Sequence, residues 1–136
     1  MTKFQLKTTN RNQFVEITDQ VRDAVAESRI TSGLCVVYCP HTTAAITINE
    51  NADPHVVHDM VLHLNRTVPK DQPGFRHGEG NSDSHVKASL VGPSVTLIVD
   101  KGDLVLGRWQ GVYFCEFDGP RTREVVVHVV GQPKTA

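Results

Sequence analysis

The sequence predicts a single α+β domain over residues 1–136, with helices packed on a mixed or antiparallel sheet. Three observations predict it. Seven strand-sized segments outnumber three helical ones, and their order, ββαββααβββ, clusters strands apart from helices. No internal repeat, low-complexity tract or long linker divides the chain. Its 39% hydrophobic and 21% charged residues are the proportions of a globular domain able to bury a core.

Phe4–Thr8 and Phe14–Ile17 alternate apolar and polar residues about Asn10-Arg11-Asn12, as two strands joined by a turn do. Thr18 or Asp19 is placed to cap a helix over Val21, Ala24, Val25 and Ser28 that ends before Gly33. Leu34–Cys39 and Ala44–Asn49 read as strands connected through Pro40-His41-Thr42-Thr43. Asp53-Pro54 is a cap followed by proline at the first helical position, and Val57, Met60, Val61 and Leu64 recur at helical spacing. Thr67–Asn81 carries prolines and glycines throughout and is a long loop, of the kind usually functional or mobile. Ser82 or Asp83 is placed to cap a short helix through Val91, stopped by Gly92-Pro93. Ser94–Val99, Gln110–Phe117 and Arg123–Val130 supply the last three strands.

Composition excludes several functions. With a net charge of −1 and scattered Lys and Arg, no basic face tracks a phosphate backbone, so nucleic acid is not an expected partner. Apolar runs fall well short of the roughly 20 residues that cross a bilayer, and Met1–Lys7 has no apolar h-region. Cys35 and Cys39 would lie roughly 13 Å apart on one strand, too far for a disulfide. With Cys115 they read as buried thiols, and the expected location is cytoplasmic. No dinucleotide fingerprint or phosphate-binding glycine loop is present, so no nucleotide cofactor is expected.

The run from Pro40 to Pro54 places an imidazole, hydroxyls, carboxamides and carboxylates at both ends of one apolar strand, as one wall of a polar pocket would. Three features converge on a metal or anion site. His41 stands at a strand end beside Thr42 and Thr43, where hydroxyls can orient its second nitrogen. His77-Gly78-Glu79-Gly80-Asn81 offers imidazole, carboxylate and carboxamide in a flexible loop. His85 falls in a first helical turn, where the helix dipole disfavours added positive charge. Three imidazoles with a carboxylate suit zinc or a similar divalent ion.

Other residues weigh differently. His55, Asp59 and His63, with His58, form a polar stripe opposite Val57, Val61 and Leu64, a solvated or subunit-facing side of a helix. Asp53 is first a cap, which leaves Glu50, between Asn49 and Asn51, as the freer carboxylate. Trp109, between Gly107 and Gly111, suits ring stacking, although core packing or a subunit contact accounts for it as readily. Arg121, with Arg123, Arg108 and Lys87, offers donors for phosphate, and His128 among valines reads as a satisfied sheet residue.

With these motifs in hand the chain resembles the YjbQ-like family, whose members are labelled secondary thiamine-phosphate synthases. The likeness rests on His41-Thr42-Thr43-Ala44 through Asn49-Glu50-Asn51-Ala52-Asp53-Pro54, on His58-Asp59, on Glu79-Gly80-Asn81 with Ser84-His85-Val86-Lys87, and on Gly107-x-Trp109-Gln110-Gly111. Arg108 stands where the family usually has threonine. The resemblance implies a compact α+β homotrimer with sites near subunit boundaries. It also implies a weak or backup ability to join pyrimidine diphosphate and thiazole phosphate. Its motifs mark His41, Asn49, Glu50, Asp53, Glu79, His85, Lys87, Trp109 and Gln110 as site residues.

The resulting expectation is an enzyme for small phosphorylated metabolites. His41, His77 and His85 hold a divalent ion, Glu50, His85 and Lys87 are catalytic, and Thr42, Asn49, Asp53, Glu79, Asn81, Trp109, Gln110 and Arg121 contact substrate. The alternatives are a non-catalytic trimer binding a metal or anionic metabolite, and a metal-dependent hydrolase.

Overall fold

The computed structural model describes residues 1–135. The strands are β1 (Thr2–Lys7), β2 (Gln13–Glu16), β3 (Ile30–Tyr38), β4 (Ala44–Glu50), β5 (Ser94–Asp100), β6 (Asp103–Leu104), β7 (Gln110–Glu116) and β8 (Thr122–Pro133). The helices are α1 (Thr18–Ser28), α2 (Pro54–Thr67) and α3 (Ser82–Val91). A five-stranded sheet of order β1-β8-β3-β5-β6 faces a three-stranded sheet of order β2-β7-β4, and every strand pair is antiparallel.

The strand pleat explains the layering. Alternate residues of a strand point to opposite faces, and both faces of the smaller sheet are covered. Ala44 and Ile46 of β4, with Val112 and Phe114 of β7, join Cys35, Val37, Leu97, Val99, Val125 and Val127 of the larger sheet in the main core. Val21, Ala24 and Val25 of α1 enter the same core. The intervening Ala45, Tyr113 and Cys115 point the other way, toward Ala88 and Val91 of α3 and Val57 and Leu64 of α2. β7 is therefore buried on both sides, and its run from Val112 to Cys115 is continuously apolar. No residue of α2 is fully buried, and the helix packs through the partly buried Val57 and Leu64.

Several local expectations change. α1 begins at Thr18 with Ile17 as its uncapped N-terminal residue, because the Thr18 hydroxyl is committed to the Val112 amide (2.9 Å) and Glu16 (2.8 Å). Asn81, not Ser82 or Asp83, precedes the first turn of α3, since Asp83 is turned inward to Arg11 and Lys87. Asp53 does cap α2, its Oδ1 accepting the His55 amide at 2.9 Å. The short β6 adds an eighth strand. His128 lies in β8, as expected of a sheet residue, while Trp109 is exposed and so is not part of the core. The three cysteines are buried free thiols, and burial pushes the Cys35 thiol up to about 11. No described helix is long and apolar enough to cross a membrane.

Candidate functional site

β4 and β7 run antiparallel, pairing Ala44 with Glu116 at one end and Glu50 with Gln110 at the other. Six strand steps, roughly 20 Å, separate those ends. This geometry divides the sequence motifs between two poles of the domain.

At the Ala44 pole, four parts of the chain enclose a cleft of about 440 Å³ lined by Pro40, His41, Thr42, Thr43, His77, Glu79, Asn81, His85, Asp118, Arg121 and Arg123. His41, Thr42 and Thr43 come from the β3–β4 connection, and His77, Glu79 and Asn81 from the long loop. His85 comes from the first turn of α3. Asp118, Arg121 and Arg123 come from the β7–β8 turn and the start of β8. The His77 and His85 rings lie edge to face with centroids 5.5 Å apart.

The floor is a buried ionic network. Glu116, fully buried, accepts from Thr8 Oγ1 (2.7 Å) and Arg123 Nε (2.8 Å), and pairs a second time with Arg123 Nη2. Arg123 Nη2 also donates to Thr43 Oγ1 at 2.9 Å, which ties the floor to the His41 loop. Burial acts to raise the Glu116 pKa, but hydrogen bonds from Arg123, Thr8 and the Asp118 amide outweigh it and hold the carboxyl below its ordinary range. Above this floor Arg121 is anchored to Asp118, its Nε donating to the backbone carbonyl and its Nη2 to the carboxylate, both at 2.8 Å. Asn81 Nδ2 donates to the same carboxylate at 2.8 Å, while the buried Asn81 Oδ1 has no hydrogen-bond partner among the described residues. Gly119 lets this turn close: a Cβ there would sit 2.3 Å from the Asn10 carbonyl oxygen.

His41 is braced from behind, its Nε2 accepting the Glu124 backbone N–H at 2.9 Å. That nitrogen is taken by the amide, which goes against the expectation that His41 ligates a metal alongside His77 and His85. Among the described residues no three His, Cys, Asp or Glu side chains converge to hold an ion.

The opposite pole holds the other motif residues. Glu50 is half-buried, and its carbonyl accepts the Tyr113 hydroxyl at 2.9 Å. The Asn49 side chain accepts the Glu50 amide (2.7 Å), and Gln110 Oε1 accepts the Gly107 amide (2.7 Å). Trp109 is 53% exposed under the Arg108 guanidinium, 4.7 Å from its ring centroid. Asp53 caps α2 nearby in sequence. Within one copy, then, Asn49, Glu50, Asp53, Trp109 and Gln110 do not share the histidine cleft.

Lys87 joins neither group. It is 1% exposed, and its Nζ donates to Asn65 (2.7 Å), Asn12 (3.2 Å) and Asp83 (3.2 Å). The expectation that it reaches phosphate fails because every ammonium donor is spent inside the protein. Asp83 is also held by Arg11 in a two-pronged pair at 2.9 and 3.0 Å. Sequence reasoning missed Glu116; its only signal was one carboxylate in an otherwise apolar strand run.

Comparison with known proteins agrees with this architecture. The family model described as UPF0047 protein YjbQ-like matches residues 2–132. UPF0047 protein MJ1081 of Methanocaldococcus jannaschii is 52% identical over 95% of this chain and 93% of its own length. UPF0047 protein YugU of Bacillus subtilis is 51% identical over 93% of this chain and 96% of its own. A crystal structure of a YjbQ/UPF0047 family protein from Clostridium acetobutylicum superposes with a TM-score of 0.93 at 52% identity, covering 96% of this chain and all (100%) of that one. A protein from Aeropyrum pernix K1 gives 0.91 at 34% identity, covering 96% of this chain and 98% of that one.

Proposed function

The chain belongs to the YjbQ-like UPF0047 family, and from its histidine cleft we propose that it acts on a small phosphorylated metabolite. The reaction proposed is a weak thiamine-phosphate synthase activity, joining pyrimidine diphosphate to thiazole phosphate. The observation that carries this reading is the meeting of His41 from the β3–β4 connection, His77, Glu79 and His85 from the stretch entering α3, and Arg121 from the β7–β8 turn around one cleft.

Charge decides how such a cleft takes phosphate. Of the two guanidiniums in the cleft, Arg121 is paired with Asp118 and Arg123 with the buried Glu116 beneath, which leaves the Glu79 carboxylate facing no compensating guanidinium. A site with that balance favours a cation first and a phosphate with it. His77 and His85, whose rings lie 5.5 Å apart, would have to draw in Glu79 to complete a three-donor set; these are the donor types that zinc or a similar divalent ion takes, and a catalytic site keeps positions open. A bound ion would supply charge neutralisation for the departing diphosphate. Arg121, fixed by Asp118, keeps its Nη1 donors for phosphate oxygens, and the exposed Thr42 hydroxyl adds another.

A homotrimer is part of the proposal. Leu34, Tyr38, Ile98 and Val130 are exposed on the outer face of the larger sheet, and β-ladder register makes Leu34 the neighbour of both Ile98 and Val130. Contiguous apolar surface of this kind favours association. The buried free thiols suit a reducing, cytoplasmic setting.

The test is rescue of a thiamine-phosphate-synthase-deficient host without thiamine, beside zinc content of the purified protein. Wild type restores growth and binds zinc stoichiometrically, whereas His85→Ala and His77→Ala lose both while staying folded. Rescue that survives both substitutions refutes the metal-centred reading. Absent rescue with stoichiometric zinc makes the protein a non-catalytic binding module.

A further inference from the structure

We propose that His41 is a fixed hydrogen-bond donor in the cleft, presenting Nδ1–H to a phosphate oxygen, and is neither a metal ligand nor a base. The inference rests on the phosphate reading above.

The strand ladder dictates the tautomer. β3 pairs with β8 only as far as Tyr38, opposite Val126. One pleat further along β8, the Glu124 amide has run past the last residue of β3, and the His41 ring takes over as its acceptor, Nε2 to N at 2.9 Å. A half-buried backbone N–H must find an acceptor, and it cannot give up its proton. Nε2 therefore presents a lone pair, and the ring proton of neutral His41 is on Nδ1. Among the described residues no group takes that Nδ1–H, and the ring lines the cleft.

The surroundings keep this state. Burial and the Arg123 guanidinium lower the His41 pKa, outweighing the opposing pull of the Glu124 backbone contact and of the carboxylates of Glu116 and Glu124. A second proton would also sever the bond to the Glu124 amide. Coordination or proton abstraction through Nε2 would break the same bond. A neutral N–H donor, beside Arg121 and Thr42, matches an oxyanion oxygen without adding charge.

Long-range ¹H–¹⁵N correlation on the full chain reads the tautomer directly. The expected pattern is protonated Nδ1 and bare Nε2; an Nε2–H tautomer overturns the proposal. Calorimetric titration with inorganic pyrophosphate and zinc tests the role. His41→Ala weakens pyrophosphate binding about tenfold or more, as loss of one hydrogen bond to a charged group does. His41→Asn, whose amide can occupy the Nδ1 position, recovers most of that loss. Zinc stoichiometry stays at the wild-type value in both variants, whereas a metal-ligand role would lower it and overturn the proposal. Pyrophosphate binding unchanged in His41→Ala refutes this role alone. A wild-type protein that binds no pyrophosphate refutes the phosphate reading of the cleft, and this role with it.

Discussion

Glu116 stays ionised inside the core because four neighbours organise around it: Arg123 through two nitrogens, the Thr8 hydroxyl, the Asp118 amide and, through Arg123, Thr43. Its folded pKa lies below the unfolded value of about 4.3. The group therefore contributes stability above that unfolded pKa, and the contribution disappears as pH falls through the folded value. Urea midpoints of the wild type should fall more steeply below about pH 5 than those of Glu116→Gln; parallel profiles would contradict the pairing. Arg123→Met strands the carboxylate and should cost about 3–5 kcal/mol at neutral pH, measured by chemical denaturation. A loss below about 1 kcal/mol would mean water reaches the pair.

α3 illustrates how an element is fixed by charge rather than by apolar area. Only Ala88 among its apolar residues is buried, and its inner face is otherwise Asp83, Ser84 and Lys87. Ser84 Oγ donates to the Phe117 carbonyl at 2.6 Å, and Lys87 ties α3 to Asn65 of α2 and Asn12 of the β1–β2 turn. Burial lowers the Lys87 pKa against the opposing pull of Asp83. His85 rides on this helix, so the network sets one wall of the cleft. Lys87→Met should cost about 3 kcal/mol, with Arg11 still pairing Asp83, and should speed amide exchange along α3. Pyrophosphate affinity at a temperature where the variant is folded should change little. A selective loss of affinity with unchanged stability would return Lys87 to a substrate-contacting role.

The whole molecule buries one face of its larger sheet and leaves the other to solvent. Across β3, β5 and β8 the outward residues include Leu34, Tyr38, Ile98 and Val130, with Thr96 and His128 among them. Ile98 is 59% exposed at the middle of β5. If this face joins copies of the chain, Ile98→Lys places a charge in the interface, and light scattering should show monomer where the wild type is a trimer. Equal masses for the two proteins would exclude this face as the contact. Charge on an already solvated sheet face costs the fold little, so the unfolding midpoint should shift far less than the mass.

The sequence by itself determined the local structure: ten of the elements in order, the Asp53 cap, the buried thiols and the residue types of the cleft. These follow from periodicity, capping and side-chain chemistry, which act over a few residues. It also held His41, His77, His85, Glu79 and Arg121 as candidates, and all five line one cleft. Tertiary structure decided which candidates share a site. The antiparallel pairing of β4 with β7 sends Glu50 and Trp109 to the far pole, a consequence of register invisible to spacing along the chain. The same folding turned Lys87 inward, where three oxygen acceptors from separate segments compensate its burial. Hydrogen-bond satisfaction is settled by neighbours that are distant in sequence, and for that reason the Nε2 bond of His41 to the Glu124 amide could be read only from the fold.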